Sequence, residues 1–197
     1  NHEFKTVISD LTLDDNPLPQ LYKALKFGIS NYFQKMGFKK AVIGASGGID
    51  SAVVQALAVK ALGKENVLAV LMPSRYSSKG SVDDAIALSE KLGNEYIQLP
   101  IEDVHSAYES TLAPVFERTS VGIAEENLQA RSRAVLLMGI SNKTGNILLN
   151  TSNKSELAVG YSTLYGDLCG SLSVIGDVYK TQVYALAKHI NRYKETI

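Results

Sequence analysis

The chain has 197 residues, 45% of them hydrophobic and 20% charged, which is typical of one globular domain with its own core. Its 20 basic and 20 acidic residues balance, whereas a nucleic-acid-binding protein generally carries a basic excess. The single cysteine, Cys169, excludes an intrachain disulfide and is typical of a reducing compartment. No apolar run reaches membrane-spanning length and the amino terminus lacks a signal-peptide pattern, so we expect a soluble cytoplasmic protein that binds neither membranes nor nucleic acids.

Short apolar segments alternate along the chain with longer segments of helical periodicity, which predicts strands and helices in turn. In chain order, we predict a helix over 21–37, a strand over 40–45, a helix over 51–62, a strand over 66–72, a helix over 82–93, a strand over 95–100, helices over 102–117 and 124–142, a strand over 146–150 and a helix over 178–190. Ser81 is the expected cap of the third helix, with Asp84 as its capping-box partner, and Asp177 is the expected cap of the last helix.

Apolar strands that are separated by helices form a parallel sheet covered on both faces. We therefore predict a single α/β domain over residues 1–197, with a doubly wound, Rossmann-like parallel sheet between two helical layers. Ligands bind such sheets beyond the carboxyl ends of the strands. Four segments follow predicted strands and are where we expect the site: 44–51, 73–80, 100–103 and 151–156.

The stretch AVIGASGGIDSAVV, residues 41–54, joins the first predicted strand to the second helix through a glycine-rich turn. Its glycines let the backbone approach a ligand, its serines offer hydroxyl donors, and the helix start offers amides, a combination that favours an anion. These glycines and serines are Gly44, Ser46, Gly47, Gly48 and Ser51. The alternative is an ordinary tight connection in which Asp50 or Ser51 only caps the helix.

Two common phosphate-binding loops do not fit this turn, because it has no lysine after the glycines and its glycines are not spaced as in dinucleotide-binding loops. The pattern S-G-G-x-D-S instead resembles the pyrophosphatase loop of the N-type ATP pyrophosphatases, which have an adenine nucleotide alpha hydrolase-like fold and cleave ATP between its α and β phosphates. The resemblance implies that ATP binds Gly44, Ala45, Ser46, Gly47, Gly48, Ile49, Asp50 and Ser51. Asp50 is then a Mg²⁺ ligand, since the cation offsets the repulsion between a carboxylate and the phosphates.

Three further stretches indicate which member of this superfamily the chain is similar to. MPSRYSSKGSVDDA (72–85), EENLQARSR (125–133) and NTSNKSELAVGYSTLYGDL (150–168) resemble NAD synthetases, above all the synthetase domain of the glutamine-dependent, two-domain form. The resemblance runs from about residue 20 to the end of the chain. It implies an ATP-dependent ligase that converts deamido-NAD⁺ and ammonia to NAD⁺, with Mg²⁺ as cofactor. It also implies a homodimer that binds deamido-NAD⁺ at the subunit interface.

Asn127 and Arg131 lie four residues apart on a predicted helix and so share one face. An amide and a guanidinium suit a ligand with carboxylate and phosphate groups. The resemblance implies that Asn127 binds deamido-NAD⁺, and we assign Arg131 to the same ligand. The alternative is a solvated polar stripe, of which Glu125, Gln129 and Arg133 are the neighbouring members.

Thr151 and Glu156 follow the last predicted strand, where a ligand is expected. The resemblance implies that Thr151 contacts ATP and that Glu156 lies near the metal, which it shares with Asp50, and near deamido-NAD⁺. Ser152 or Asn153 also suits the start of a helix, with Glu156 as the reciprocal partner of Asn153, and both roles are compatible.

Lys180, at the start of the last predicted helix, is a surface lysine or, as the resemblance implies, a ligand of the ATP phosphates. Asp50, Glu156 and Lys180 are thus the candidate catalytic residues. Arg75 lies in the polar loop after the second predicted strand, where it could meet adenine or phosphate, while Asp167 and Asp177 either contact substrate or cap turns. Four other residues have no assigned catalytic role: His2, His105 and His189 share no spacing, and Cys169 is interpreted as a buried thiol.

The two-domain relatives carry a glutaminase domain with a nucleophilic cysteine upstream, which no residue here replaces. We expect the chain to use free ammonia or to be the synthetase part of a longer protein. The ending NRYKETI also stops short of the carboxy-terminal segment of the family domain. Two other hypotheses remain: another ATP pyrophosphatase, acting on a purine nucleotide or a tRNA base, and a non-catalytic nucleotide-binding module.

Overall fold

The computed structural model describes residues 17–192 and 196–197, so that His2 and the amino-terminal segment lie outside the described residues. The helices are α1 (Pro17–Met36), α2 (Ile49–Leu62), α3 (Lys79–Leu92), α4 (Glu102–Phe116), α5 (Ile123–Thr144), α6 (Lys154–Val159) and α7 (Lys180–Asn191). The strands are β1 (Ala41–Gly44), β2 (Val67–Leu71), β3 (Glu95–Gln98), β4 (Ile147–Asn150) and β5 (Leu172–Ser173).

The strands form one sheet in the order β3-β2-β1-β4-β5, and every neighbouring pair is parallel. In the register of the central strand, Ala41 lies opposite Val67 on one side and Ile147 on the other. The chain order reverses on either side of β1, so the crevice above β1 is the switch point where doubly wound sheets bind ligands.

Both faces of the sheet are buried, as the apolar strands predict. Ala41 and Ile43 pack in the cluster that contains α1, α2 and α7, whereas Val42 packs in the opposite cluster against Leu137 of α5. Helix α2 is buried over eight consecutive residues, 51–58, which matches its nearly continuous apolar sequence. The three-layer, doubly wound α/β fold is therefore confirmed.

Two predicted helix caps are wrong. Helix α3 begins at Lys79, and its cap is Ser78, whose Oγ accepts a hydrogen bond from the amide of Ser81 at 3.1 Å. The reason is a turn at 74–77, in which the amide of residue 77 bonds the carbonyl of residue 74, so that the chain enters the helix earlier. Asp177 is exposed and does not cap α7, which begins at Lys180.

Strand β5 was not predicted, because a strand of two residues is too short to show a period. It follows a long loop after α6 and pairs with β4 at the edge of the sheet. Among the described residues, no helix combines the length and the apolar character that crossing a membrane requires.

Candidate active site

The glycine-rich turn after β1 lies at the switch point and packs on the first turn of α3. Gly47 has φ +78°, and a Cβ at this position would lie 2.1 Å from the carbonyl oxygen of Ser81. Only glycine avoids both the left-handed strain and this collision. Glycine at this position therefore allows the backbone of the turn to pack directly on the backbone of α3, which any side chain would prevent.

Serine side chains hold the turn from inside. The Oγ atoms of Ser46 and Ser51 lie 3.0 Å apart, and Ser51 Oγ donates to the carbonyl of Gly48 at 2.9 Å. The cap of α2 is Gly48, which has no side chain that could accept a hydrogen bond from the first amides of the helix. The interpretation of Asp50 or Ser51 as an ordinary cap is therefore wrong, and the first amides of α2 remain for an anionic ligand.

Asp50 meets residues from two distant segments. Its Oδ2 contacts the ammonium group of Lys180, and its Oδ1 accepts a hydrogen bond from Asn153 Nδ2 at 3.2 Å. Lys180 begins α7 and Asn153 precedes α6, so both side chains enter from the carboxyl edge of the sheet. The amide of Lys180 also donates to Ser155 Oγ at 3.0 Å, which fixes α7 against α6.

The expected capping box at α6 is confirmed. Asn153 Oδ1 accepts from the amide of Glu156 at 3.1 Å, and Glu156 Oε2 accepts from the amide of Asn153 at 3.0 Å. Asn153 is completely buried and therefore joins the carboxylates of Asp50 and Glu156 through one rigid residue. The cap uses one carboxylate oxygen of Glu156, so capping is compatible with a second role.

The donor set suits Mg²⁺ rather than a metal enclosed by protein ligands. Within 17–192 and 196–197, no group of three or more His, Cys, Asp or Glu side chains forms a metal cluster. Asp50 and Glu156 supply two carboxylates near the glycine-rich turn. Mg²⁺ is commonly held by one or two carboxylates together with water and substrate phosphates, so these residues fit that cation.

A cavity of about 590 Å³ opens beside the turn, above β1, β2 and β4. Its walls come from the turn, the loop after β2, one face of α5 and the segment after β4. Among the predicted ATP ligands, Gly44, Ala45, Ser46 and Thr151 line it. The volume is that of a typical small-molecule site, and the mixture of apolar walls and polar ends suits a nucleoside.

One expected segment takes no part in this cavity. Residues 100–103 follow β3, which lies at the edge of the sheet, away from the switch point. Ile101 is buried there, and Glu102 binds Arg75. The fourth wall is formed by α5 instead.

Asn127 and Arg131 share a face of α5, as predicted, and both contact the segment that follows α6. Asn127 Oδ1 accepts from Thr163 Oγ1 at 2.7 Å, and Arg131 Nε donates to the carbonyl of Leu164 at 3.2 Å. They lie outside the cavity wall, on the side of α5 that faces residues 163–164. Their assignment to a second substrate stays a prediction.

Arg75 does not point into the cavity. Its Nε donates to Glu102 Oε1 at 2.8 Å, and its Nη2 donates to Ser106 Oγ at 3.0 Å and to Glu109 Oε2 at 3.3 Å. The hydrogen bond from Arg75 lowers the pKa of the Glu102 carboxyl. Arg75 therefore anchors the loop after β2 to α4.

Asp167 and Cys169 both line the cavity. Asp167 Oδ1 accepts from the amide of Thr163 at 2.6 Å, which fits the turn-capping interpretation. Cys169 is half-buried rather than fully buried, and burial raises the pKa of its thiol.

Arg133 is the site residue that sequence reasoning missed. It lines the cavity, and its Nε donates to the carbonyl of Met72 at 3.0 Å. Its neighbour Gln129 accepts a hydrogen bond from Ser74 Oγ at 2.9 Å, so this face of α5 contacts the loop after β2 and is not a solvated stripe. Helical spacing places four cavity-lining residues of α5 on one face, but it does not indicate whether that face meets a cavity or solvent: Ala130, Arg133, Ala134 and Leu137.

The sequence profile of the NAD synthase family matches residues 21–197. The glutamine-dependent NAD⁺ synthetase of Synechocystis sp. is 53% identical over 178 residues, which are 90% of this chain and 32% of that protein. A solved glutamine-dependent NAD⁺ synthetase from Acinetobacter baumannii, in complex with ADP, is 45% identical with a TM-score of 0.90, and the match covers 92% of this chain and 34% of that one. An NH₃-dependent NAD synthetase from Campylobacter jejuni is 36% identical with a TM-score of 0.82, over 91% of this chain and 76% of that one.

The chain spans about a third of the length of the glutamine-dependent relatives and about three quarters of the NH₃-dependent one. The match includes the turn, the cavity walls and the residues around Asp50, because all of them lie within 21–197. The chain belongs to the NAD synthase family.

Proposed function

We propose that the chain makes NAD⁺ from deamido-NAD⁺ and ammonia in an ATP-dependent reaction that releases pyrophosphate and AMP. The observation that carries this proposal is the meeting of Asp50, Asn153 and Lys180 beside the glycine-rich turn. These residues lie on three separate segments, and a structural turn alone needs no buried amide or lysine at its aspartate. Family membership and the named activities of the relatives support the same reaction.

ATP binding is proposed with adenosine in the 590 Å³ cavity and the phosphates along residues 44–51. Thr151 and the turn line the same cavity, and the A. baumannii relative is named as a complex with ADP. The β and γ phosphates then face the uncapped amides of α2 and the ammonium group of Lys180. These fixed positive groups stabilise the charge of the leaving pyrophosphate.

Asp50 and Glu156 are the proposed ligands of Mg²⁺, held in place by Asn153. Bound there, Mg²⁺ neutralises phosphate charge and orients the triphosphate. Lys180, which contacts Asp50 in the structure, is then free to bind phosphate oxygen.

Deamido-NAD⁺ is proposed to bind beside Asn127, Arg131 and Glu156. Asn127 and Arg131 already fix residues 163–164 against α5, so a ligand at this position contacts two elements at once. The guanidinium of Arg131 is exposed and suits a phosphate or carboxylate.

The chemistry has two balanced steps. An oxygen of the nicotinate carboxylate attacks the α phosphorus, a C–O–P bond forms, and the bond to the β-phosphate oxygen breaks with release of pyrophosphate. Ammonia then attacks the acyl carbon, a C–N bond forms, and AMP leaves with the electrons of the C–O bond while the nitrogen loses a proton. The residues act mainly by positioning and charge compensation, because ammonia enters as a neutral nucleophile.

A homodimer is part of this proposal. Apolar side chains of α6 and the following loop are exposed, which is typical of an interface. They are Leu157, Val159, Tyr161, Leu164 and Tyr165. Where a glutaminase domain accompanies this chain, we propose that glutamine supplies the ammonia, as the names of the glutamine-dependent relatives suggest.

Product analysis tests the proposed function. With ATP, Mg²⁺, ammonium and deamido-NAD⁺, we expect NAD⁺, AMP and pyrophosphate in equal amounts. Omission of deamido-NAD⁺ is the matched control and should leave ATP intact. Formation of ADP and phosphate instead, or amidation of another carboxylate in preference to deamido-NAD⁺, would contradict the proposal.

A further inference from the structure

We propose that Arg133 binds the α-phosphate of ATP and the phosphate of the acyl adenylate that forms from it, an inference that rests on the proposed function. Arg133 belongs to the cavity wall and not to the pair Asn127 and Arg131 on the neighbouring face of α5. Its role is therefore distinct from that of the residues proposed for deamido-NAD⁺.

The positive charge of Arg133 has no ion-pair partner among the described residues. Arg133 and Asp167 are the charged residues among the described cavity walls, so Arg133 is the cation of the cavity. Its hydrogen-bond partners are neutral: the carbonyl of Met72 at 3.0 Å and Ser74 Oγ at 3.5 Å. None of the ion pairs of the described chain includes it.

Such an arrangement is costly without a ligand. Burial lowers the pKa of the Arg133 guanidinium, because the charged form loses hydration. Lys180, by contrast, is paired with the carboxylate of Asp50. A half-buried guanidinium that faces a cavity without a carboxylate partner is suited to an anionic group of the ligand.

The position of Arg133 along the cavity indicates which of the three ATP phosphates it binds. Leu137 packs on the start of the turn, where its Cδ1 lies 3.1 Å from the position of a Cβ on Gly44. Arg133 lies one helical turn, about 6 Å, before Leu137, toward the carboxyl edge of the sheet. The β and γ phosphates are assigned to the start of α2 and Lys180 on the other helical layer. The α-phosphate joins these to the nucleoside and thus lies nearest the cavity and Arg133.

The contacts of Arg133 with Met72 and Ser74 suggest a second explanation, in which it only holds the loop after β2. Gln129 provides the matched control, because it bonds Ser74 Oγ at 2.9 Å from the same helix face, is uncharged and lies outside the cavity wall. Loss of a loop anchor should weaken the binding of every ligand in the cavity. Loss of a side chain that binds phosphate should weaken only the binding of phosphorylated ligands.

The test compares adenosine, AMP and ATP by isothermal titration calorimetry in buffer that contains Mg²⁺. For Arg133→Met we expect AMP and ATP affinity to fall roughly ten- to hundredfold, with adenosine affinity within about twofold of wild type. Arg133→Gln, which keeps an amide donor for Met72, should give the same pattern and serves if the methionine variant does not fold. Gln129→Leu should change the three affinities by one common factor.

Equal losses for adenosine, AMP and ATP in the Arg133 variants would overturn the proposal in favour of the loop anchor. Unchanged AMP affinity would also overturn it. If the wild-type protein bound none of these three ligands, the proposed function itself would fail, which distinguishes the two failures.

Discussion

Asp50 is the residue whose environment says most about the site. It follows the glycines of the glycine-rich turn, yet it does not cap α2, and its two oxygens are held by Lys180 and Asn153. A carboxylate at this position repels phosphate unless a cation joins them. The proposed Mg²⁺ would join this carboxylate to the phosphates, which gives the charge a role in the proposed function.

We expect Asp50→Ala to lower the rate of NAD⁺ formation at least about a hundredfold, because both the proposed metal ligand and the partner of Lys180 are lost. Asp83→Ala, an exposed carboxylate on α3 outside the cavity wall, is the control and should stay within about twofold of wild type. Thermal unfolding should show that both variants fold. Full activity of Asp50→Ala would exclude the metal role.

The rate at which the Cys169 thiol is alkylated should show whether a ligand occupies the cavity. Burial raises the pKa of its thiol, so little thiolate is present at neutral pH, and alkylation by iodoacetamide should speed up about tenfold per pH unit as the pH rises toward that pKa. Saturating ATP should slow the reaction, since Cys169 lines the proposed nucleoside cavity. Mass spectrometry measures the labelled fraction at the single cysteine. Fast labelling at neutral pH that ATP does not affect would contradict this placement.

At the scale of elements, the turn between β1 and α2 is built around one glycine that contacts the first turn of α3. Helices α2, α6 and α7 begin at the same edge of the sheet, so their first turns bring the polar side chains together. The positions of these helix starts matter more to the site than the interiors of the helices.

Gly47→Ala should destabilise the protein by roughly 1–3 kcal/mol, because alanine at φ +78° is strained and its Cβ collides with the Ser81 carbonyl. ATP affinity should fall as well. Gly28→Ala in the exposed middle of α1, where a Cβ meets no atom within 4 Å, should instead stabilise by roughly 0.5–1 kcal/mol. Urea unfolding measures both changes, and equal effects of the two substitutions would show that the turn tolerates a side chain.

The sequence could predict those parts of the molecule that depend on local patterns. The turn is recognisable because its glycines, serines and Asp50 are adjacent, and the Asn153–Glu156 cap follows from a spacing of three residues. The cap of α3 could not be predicted, because Ser78 replaces Ser81 through a turn whose hydrogen bonds lie outside the helix.

At the scale of the whole molecule, local pattern predicts a parallel sheet but not the strand order β3-β2-β1-β4-β5, which depends on how each helix crosses the sheet. For the same reason, the local sequence pattern did not predict that Arg133 lines the cavity. Its direction depends on the rotation of α5, which is fixed by the packing of Leu137 against Gly44. The polar face of that helix could equally have faced solvent on sequence grounds.

The sheet order explains why residues from 44 to 180 form one site. The strand β1 lies between β2 and β4, so the turn after it adjoins both the loop that carries Ser74 and the segment that carries Asn153. The cavity therefore lies on one side of the turn, and Asp50 with Lys180 and Asn153 lies on the other. This geometry suits a nucleotide whose base and terminal phosphates are far apart.

The most direct test of the account is isotope exchange between labelled pyrophosphate and ATP, because it reports cleavage between the α and β phosphates. We predict Mg²⁺-dependent exchange that appears with deamido-NAD⁺ in the absence of ammonia. Ammonium should suppress the exchange by consuming the adenylate. Absence of exchange with deamido-NAD⁺ and Mg²⁺, or exchange that responds only to a different carboxylate, would contradict the account.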